Sequence, residues 1–146
     1  MSFVISHGEL EVLKMSSEAV LPTRAHPNDA GLDLYCLEDA ILAPEQGKTI
    51  RSGIAIAIPD GFVGLITDRS SLAKKGIKTA GGIIDAGYRG EIHVILWNIS
   101  TEEIRIQKGE RMAQLLIMPI ATPAVKEVTN LNTTSRGDRG FGSTGR

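Results

Sequence analysis

The chain has 146 residues, with 16 Lys or Arg against 17 Asp or Glu, so its formal net charge is −1. A chain of this length forms one domain with a substantial core, and the balanced charge excludes the broad cationic surface that DNA or RNA binding needs. The single cysteine, Cys36, excludes an intrachain disulfide and is expected to be a small buried side chain. We find no signal-peptide pattern and no apolar run of bilayer length, so we expect a cytoplasmic protein with no membrane or nucleic-acid partner.

Short apolar stretches with alternating or β-branched residues recur along the chain, separated by prolines and glycines. Such stretches predict β-strands, which span residues 10–13, 32–35, 54–58, 62–67, 92–96 and 113–118. One short helix is predicted at residues 70–75, because serines stand at its start, lysines in its last turn and Gly76 directly after it. The predicted fold class is therefore all-β, a distorted jelly-roll barrel or sandwich over residues 1–134.

The start of the predicted helix carries Arg69, Ser70 and Ser71. An arginine and two hydroxyls at this position suit a phosphate, because free backbone N–H groups and the helix dipole already favour an anion. Ordinary capping by either serine explains the same residues. The chain contains neither a Walker A loop nor the Gly-x-Ser-x-Gly motif of a hydrolase nucleophile.

Residues 81–91 predict a β-hairpin with Asp85, Ala86 and Gly87 at its turn. Asp85 is a candidate general base if a pocket holds it, although an aspartate in a turn is also a common structural residue. The paired glycines that open the segment allow a ligand to approach the backbone closely. Tyr88 either contacts that ligand or fills the core.

Two polar side chains fall within predicted strands. Gln114 lies among apolar residues, so a buried amide there needs a hydrogen-bond partner, either a ligand or the neighbouring backbone. Asp33 lies in a strand that alternates apolar and polar residues. Both are candidate site residues.

Residues 135–146 form a glycine-rich tail without helical or strand periodicity, which predicts a mobile segment. Backbone N–H groups, hydroxyls and arginines suit a polyphosphate, and the lone Phe141 suits stacking on a base. The tail is therefore either a lid for a nucleotide or a plain solvated end. The candidate lid residues are Arg136, Phe141, Gly142, Ser143 and Thr144.

Five motifs, in this order, resemble those of the trimeric dUTP pyrophosphatases, or dUTPases. They are Ala-Gly-Leu-Asp-Leu-Tyr at 30–35, Arg-Ser-Ser-Leu-Ala at 69–73, Gly-Ile-Ile-Asp-Ala-Gly-Tyr-Arg-Gly-Glu at 82–91, Gly-Glu-Arg-Met-Ala-Gln-Leu at 109–115 and Arg-Gly-Asp-Arg-Gly-Phe-Gly-Ser-Thr-Gly at 136–145. The resemblance implies a jelly-roll homotrimer whose three active sites lie at subunit interfaces. It also implies hydrolysis of dUTP to dUMP and pyrophosphate with Mg²⁺, an activity that limits uracil in DNA and supplies dUMP for thymidylate synthesis.

The resemblance also implies a role for each motif residue. Asp85 would activate the water that attacks the α-phosphorus, and Tyr88 would pack under the deoxyribose and exclude a 2′-hydroxyl. The triphosphate and water would hold Mg²⁺ without a direct protein ligand, and Asp33 would act on it only at a distance. The implied substrate contacts are Arg69, Ser70, Ser71 and Gln114 at the phosphates, Thr79, Gly82, Ile83 and Ile84 at the uracil, and the five lid residues from the tail.

Some positions depart from the family pattern. Asp68 stands where many dUTPases have proline. The motif Arg-Ser-Ser-Leu-Ala also resembles that of the dCTP deaminases, so deamination of dCTP is the alternative enzymatic function. Deaminases carry a catalytic glutamate three residues before an asparagine, whereas Ile95 precedes Asn98 here. Thr79 stands where some dUTPases have an asparagine, so the sequence does not decide whether the Thr79 side chain contacts the base. A β-barrel that binds without turnover would be expected to lack Asp85 or the tail, and both are present.

Overall fold

The computed structural model describes residues 8–142, which form eleven β-strands and one short helix. Every strand pair is antiparallel. The elements are β1 (Glu11–Lys14), β2 (Leu32–Tyr35), β3 (Ala40–Leu42), β4 (Gln46–Arg51), β5 (Ile54–Ala57), β6 (Phe62–Thr67), α1 (Ser70–Ala73), β7 (Ile77–Ala80), β8 (Ile83–Ile84), β9 (His93–Asn98), β10 (Ile104–Ile106) and β11 (Arg111–Pro119). The predicted all-β jelly-roll class is confirmed.

Two sheets position the candidate site. One has the order β2-β11-β6-β8 and the other β4-β9-β7, while β1-β5 and β3-β10 form two-stranded sheets. The core is almost entirely aliphatic. Strand β9 contributes one face to it, because Val94, Leu96 and Asn98 are buried whereas the residues between them face outward. The Asn98 amide donates to the carbonyl oxygens of Leu42 and Glu102, so this buried polar group is satisfied. Cys36 is buried, as predicted.

The predicted elements agree with the structure where alternation is strong. All six predicted strands exist, and those at 32–35 and 62–67 have the observed bounds. Strand β4 was missed because five of its six residues are exposed and only Ile50 is apolar and buried, so it lacks the alternating pattern. Pairing with β9 along its whole length holds it in place.

The helix is shorter than predicted and begins differently. It ends at Ala73, and its N-cap residue is Arg69, whose side chain makes no capping hydrogen bond. The prediction that Ser70 or Ser71 occupies the N-cap is therefore wrong. Gly76 has φ of +96°, so the chain leaves the turn that follows the helix through a left-handed glycine.

The predicted hairpin at 81–91 is wrong in its pairing. Strand β8 pairs with β6, whereas β9 pairs with β4 and β7, so the turn between them joins two different sheets. The turn itself is present, because the Tyr88 N–H donates to the carbonyl oxygen of Asp85 at 3.1 Å. Gly81 and Gly82 have φ of +66° and +99°, and this left-handed pair redirects the chain from one sheet to the other.

Beyond β11 the chain is irregular, and residues 120–142 are all exposed. The one helix in residues 8–142 lacks the length and apolar character needed to cross a membrane. The division into residues 1–134 and a tail from 135 stays a prediction.

Candidate active site

A pocket of about 220 Å³ opens where the turn after β8 meets the outward face of β9. It brings together five of the residues singled out from the sequence: Gly82, Ile83, Ile84, Asp85 and Tyr88. Its other walls are Ala80, Glu91, His93 and Ile95.

Asp85 is the first residue after β8, and its side chain is exposed at the pocket. Its main-chain carbonyl oxygen closes the turn with the Tyr88 N–H, so the backbone that carries the carboxylate is fixed. An exposed carboxylate on a fixed turn can accept a proton from a water bound in the pocket.

Tyr88 is 42% exposed, so the alternative that it fills the core is wrong. Its hydroxyl donates to the carbonyl oxygen of Glu91 at 2.8 Å. The ring lies against Gly90, where a Cβ would be 2.5 Å from the tyrosine hydroxyl oxygen. Glycine at this position therefore allows the ring to form a rigid wall of the pocket.

Glu91 also lines the pocket, but its carboxylate is fully engaged. Arg51 donates to it from Nε at 3.1 Å and the Gly53 N–H donates at 3.1 Å. The hydrogen bonds from Arg51 hold the pKa of Glu91 below its usual value, although partial burial acts in the opposite direction. Glu91 is thus an ionised structural anchor, and reasoning from the sequence did not identify it because its partners lie about 40 residues away.

A second cluster surrounds Arg69, outside the pocket. Its guanidinium lies 3.7 Å from Oδ1 of Asp33 and donates to the carbonyl oxygen of Arg111 at 3.3 Å. Arg111 in turn lies 3.7 Å from Oδ2 of Asp33. Asp33 therefore sits between two guanidinium groups, and Arg111 is a cationic neighbour that the sequence did not reveal.

Gln114 and Thr79 both contact Asp68 rather than the pocket. The Gln114 amide donates to the main-chain oxygen of Asp68 at 2.8 Å, so its partner in the chain is backbone, one of the two alternatives expected. The Thr79 hydroxyl donates to the Asp68 carboxylate at 2.7 Å. A Cβ at Gly31 would lie 2.0 Å from the Gln114 side-chain oxygen, so glycine there makes room for this amide.

The remaining predicted residues that the structure describes are exposed and outside the pocket. Ser70 and Ser71 lie at the start of α1. Arg136 donates from Nε to the carbonyl oxygen of Arg139 within the tail, and Phe141 is completely exposed. Gly142 has φ of +81°, and Ser143 and Thr144 lie outside the described residues.

Metal-ligand chemistry is limited in the described part of the chain. Residues 8–142 contain no group of three or more His, Cys, Asp or Glu side chains that could hold a metal ion. Asp33 already faces two arginines. These residues fit a metal carried by an anionic ligand better than a metal cage of the protein's own.

A carboxylate, an aromatic wall and accessible main chain in one pocket are the features of a candidate ligand-binding or active site. The dUTPase family model matches residues 17–145 of the chain. The deoxyuridine 5′-triphosphate nucleotidohydrolase of Corynebacterium jeikeium is 48% identical over 143 residues, which cover 93% of this chain and 92% of that protein. The Corynebacterium glutamicum protein of the same name is 45% identical and covers 94% of this chain and 95% of its own.

Solved structures agree with the sequence relatives. A mutant dUTPase of Staphylococcus bacteriophage 80alpha with dUpNHpp has a TM-score of 0.90 at 34% identity, covering 94% of this chain and 99% of that one. A mutant dUTPase from phage phi11 of S. aureus, described with a structural Mg(II) ion, has a TM-score of 0.81 at 30% identity, covering 86% and 100%. The chain belongs to the dUTPase family. The predicted family and the predicted enzyme class, a dUTP diphosphatase, are therefore confirmed.

Proposed function

We propose that the protein hydrolyses dUTP to dUMP and pyrophosphate in the pocket formed by Gly82–Ile84, Asp85 and Tyr88. The observation that carries the proposal is that these five residues line one pocket in a chain of the dUTPase family. The reaction would lower the dUTP available for incorporation into DNA and supply dUMP for thymidylate synthesis. A cytoplasmic location stays a prediction from the sequence.

Asp85 is the proposed general base. A water held by its carboxylate attacks the α-phosphorus, the water proton passes to the carboxylate, and the bond between the α-phosphorus and the bridging oxygen breaks to release pyrophosphate. The support is geometric: Asp85 is exposed at the pocket on a turn closed by hydrogen bonding to Tyr88. Positioned proton acceptors of this kind contribute about 100- to 10,000-fold to hydrolytic rates.

Tyr88 and the neighbouring main chain supply the proposed selectivity. A ring fixed by its hydrogen bond to Glu91 leaves little room for a 2′-hydroxyl, so UTP is excluded. Gly82 and Ile83 present backbone groups to the uracil, and the 5-methyl group of thymine would collide with this wall. Thr79 is not a direct reader in this proposal, because its hydroxyl is committed to Asp68.

Arg69, at the start of α1, is a proposed phosphate ligand, and Ser70 and Ser71 are proposed to bind the phosphates with it. Asp33 orients its guanidinium, so Asp33 supports the site rather than holding a metal directly. Gln114 has one amide hydrogen committed to Asp68 and keeps the other for a phosphate oxygen. Mg²⁺, bound by the triphosphate and water, would neutralise charge that moves to the leaving group.

The proposed assembly is a homotrimer in which the tail of one chain closes over the pocket of another. Within residues 8–142, Phe141 is fully exposed, and the Arg136 side chain donates only to the main chain of Arg139. In this arrangement Phe141 stacks on the uracil. Arg136, Gly142, Ser143 and Thr144 close on the β- and γ-phosphates.

The deaminase reading has less support. Ile95 lines the pocket at the position where a deaminase would need its glutamate, and an aliphatic side chain cannot transfer a proton. Glu91 is the nearest alternative carboxylate, but Arg51 and the Gly53 N–H occupy it.

One assay separates the candidate functions. The purified protein is incubated with Mg²⁺ and dUTP, dCTP, dTTP or UTP, and dUMP, pyrophosphate and ammonia are quantified. We expect dUMP and pyrophosphate from dUTP alone. Ammonia from dCTP would establish deamination instead, and binding of dUTP without any product would establish a binding module.

A further inference from the structure

We propose that Asp68 is a positioning residue for this reaction, and that its carboxylate holds the main chain that reads the base. The inference rests on the proposed function of the pocket. It concerns a residue outside the pocket that touches neither the base nor the phosphates.

The Asp68 carboxylate accepts three hydrogen bonds from strand β7. Oδ1 accepts the Thr79 N–H and the Thr79 hydroxyl, each at 2.7 Å, and Oδ2 accepts Lys78 Nζ at 2.8 Å. Asp68 directly follows β6, which belongs to the other sheet. We call this set of contacts the Asp68 clasp; it ties the end of one sheet to the edge of the other.

The clasp restrains the outer edge of β7 directly before the paired glycines. Among the described residues, strand β7 is an edge strand that pairs only with β9, so the Thr79 N–H has no ladder partner there on its other side. The chain then passes through Ala80, Gly81 and Gly82, which lie at or beside the pocket. Two consecutive glycines carry a high conformational entropy when unrestrained, so a fixed path through them requires anchors.

Two anchors flank this glycine segment, and both come from the end of β6. The clasp holds Thr79 on one side, and the Ile66 N–H donates to the Gly82 carbonyl oxygen at 2.7 Å on the other. A Cβ at Gly82 would lie 2.8 Å from the Ile66 carbonyl oxygen, so only glycine allows the two main-chain segments to lie this close together. Loss of the clasp removes the restraint on the outer edge of Thr79, while the ladder with β9 still holds Ala80.

Asp68 also contacts the phosphate side of the site through its backbone. Its main-chain oxygen accepts the Gln114 amide, and the next residue is Arg69. Replacing the Asp68 side chain keeps these main-chain features and removes the clasp alone. We therefore expect substitutions of Asp68 to affect recognition of the base more than the chemical step at Asp85.

The charge state of Asp68 suits this role. Partial burial by itself raises its pKa, but hydrogen bonds from Lys78 and Thr79 outweigh burial and leave the pKa below its usual value. The carboxylate is therefore ionised at neutral pH and accepts all three bonds.

The test compares steady-state kinetics of Asp68→Ala with those of the wild type, using dUTP and dTTP with Mg²⁺. Loss of a charged hydrogen-bond acceptor should raise KM for dUTP by about tenfold and lower the preference for dUTP over dTTP, with a smaller change in kcat. Thr79→Val removes only the hydroxyl bond and should show a smaller change in the same direction. Thr79→Ser keeps the hydroxyl and should restore wild-type values.

Asp39→Ala is the matched control, because Asp39 also accepts a backbone N–H, that of Lys108, at 2.7 Å but lies outside the pocket. It should lose stability without a change in KM or selectivity. Unchanged KM and selectivity in a folded Asp68→Ala variant would overturn the inference while leaving the proposed function intact. If that variant does not fold, wild-type kinetics for Thr79→Val would overturn it instead. A wild-type protein that does not hydrolyse dUTP would overturn both proposals.

Discussion

The turn at residues 82–91 and the tail at residues 136–142 belong to the same proposed site but differ in how they are held. In the turn, the Tyr88 hydroxyl bonds to Glu91 and the Gly82 carbonyl oxygen bonds to Ile66. In the tail, Arg136 and Arg139 each donate from Nε to the other's carbonyl oxygen at 2.9 Å, and Phe141 is fully exposed. One part of the site is preorganised by the fold, whereas the other has local contacts only.

This difference separates stability from activity. Preorganised groups raise the rate because their orientation is fixed before substrate binds. A segment with few buried contacts adds little to the free energy of unfolding, but it can contribute to activity by closing over a bound ligand. Changes in the turn and in the tail should therefore have distinguishable consequences.

The largest effect is expected from Asp85→Asn, in the preorganised part. The amide fits the same space but cannot accept the proton, so kcat should fall by about 100-fold or more. The melting midpoint should remain close to that of the wild type, because Asp85 is exposed. Asp60→Asn is the control, since Asp60 is also an exposed turn aspartate but lies outside the pocket. Near-normal turnover by Asp85→Asn would remove Asp85 from its catalytic role.

Deletion of residues 136–146 tests the other part. Turnover should fall by about 100-fold, because an open site loses the closure that orders the phosphates. The melting midpoint should barely move, since the described residues of this segment are exposed. A large drop in the midpoint measured by calorimetry would show that the tail is structural, and retained activity would exclude the lid.

Phe141→Ala should give a smaller effect than the deletion. Loss of stacking on the base should raise KM for dUTP by about tenfold, in keeping with the free energy of base-aromatic stacking. Val125→Ala is the control, because Val125 is a fully exposed apolar side chain in the irregular segment before the tail. Equal KM values for the two variants would exclude stacking by Phe141.

The smallest effect concerns the anchor of the turn, Glu91, and appears in stability rather than rate. Its folded-state pKa lies below the usual value of 4.5, so its interaction with Arg51 stabilises the fold above that pH and is lost as pH falls through the folded-state pKa. Wild type should melt a few degrees above Glu91→Gln at neutral pH, and the difference should shrink as acid protonates the Glu91 carboxylate. Melting curves across this range measure it. A difference that persists in acid would show that the ion pair is not its source.

The sequence predicted strands in which apolar residues recur over at least four positions. Strands β2 and β6 were located correctly. Strand β4 was missed because it has one buried apolar residue, and β3 and β10 were missed because each has only three residues. The partner of β8 could not be predicted, because its pairing with Gly64 and Leu65 of β6 joins residues 20 and 18 positions apart in the chain. Local periodicity contains no information of that kind.

The candidate site shows the same division. Gly82 to Tyr88 are close in sequence, so their place in one pocket follows from a single turn. The contacts of Arg69 with Asp33 and of Gln114 with Asp68 join residues 36 and 46 positions apart, and they depend on the register of β11 between β2 and β6. The residues were recognisable from their motif, but their partners within the chain were not.

In the proposed trimer, the preorganised turn of one chain and the tail of another form one site. Co-refolding of Asp85→Asn chains with chains that lack residues 136–146 tests it most directly. In a mixed trimer, the shortened chain provides an intact Asp85 and the full-length chain provides an intact tail. The control is the same two variants mixed after each has folded separately.

We expect dUTP hydrolysis in the co-refolded sample and almost none in the control, with mixed trimers verified by native mass spectrometry. If Asp85 and the tail acted within one chain, no mixture could contain a working pair. Verified mixed trimers without hydrolysis would therefore contradict the shared site.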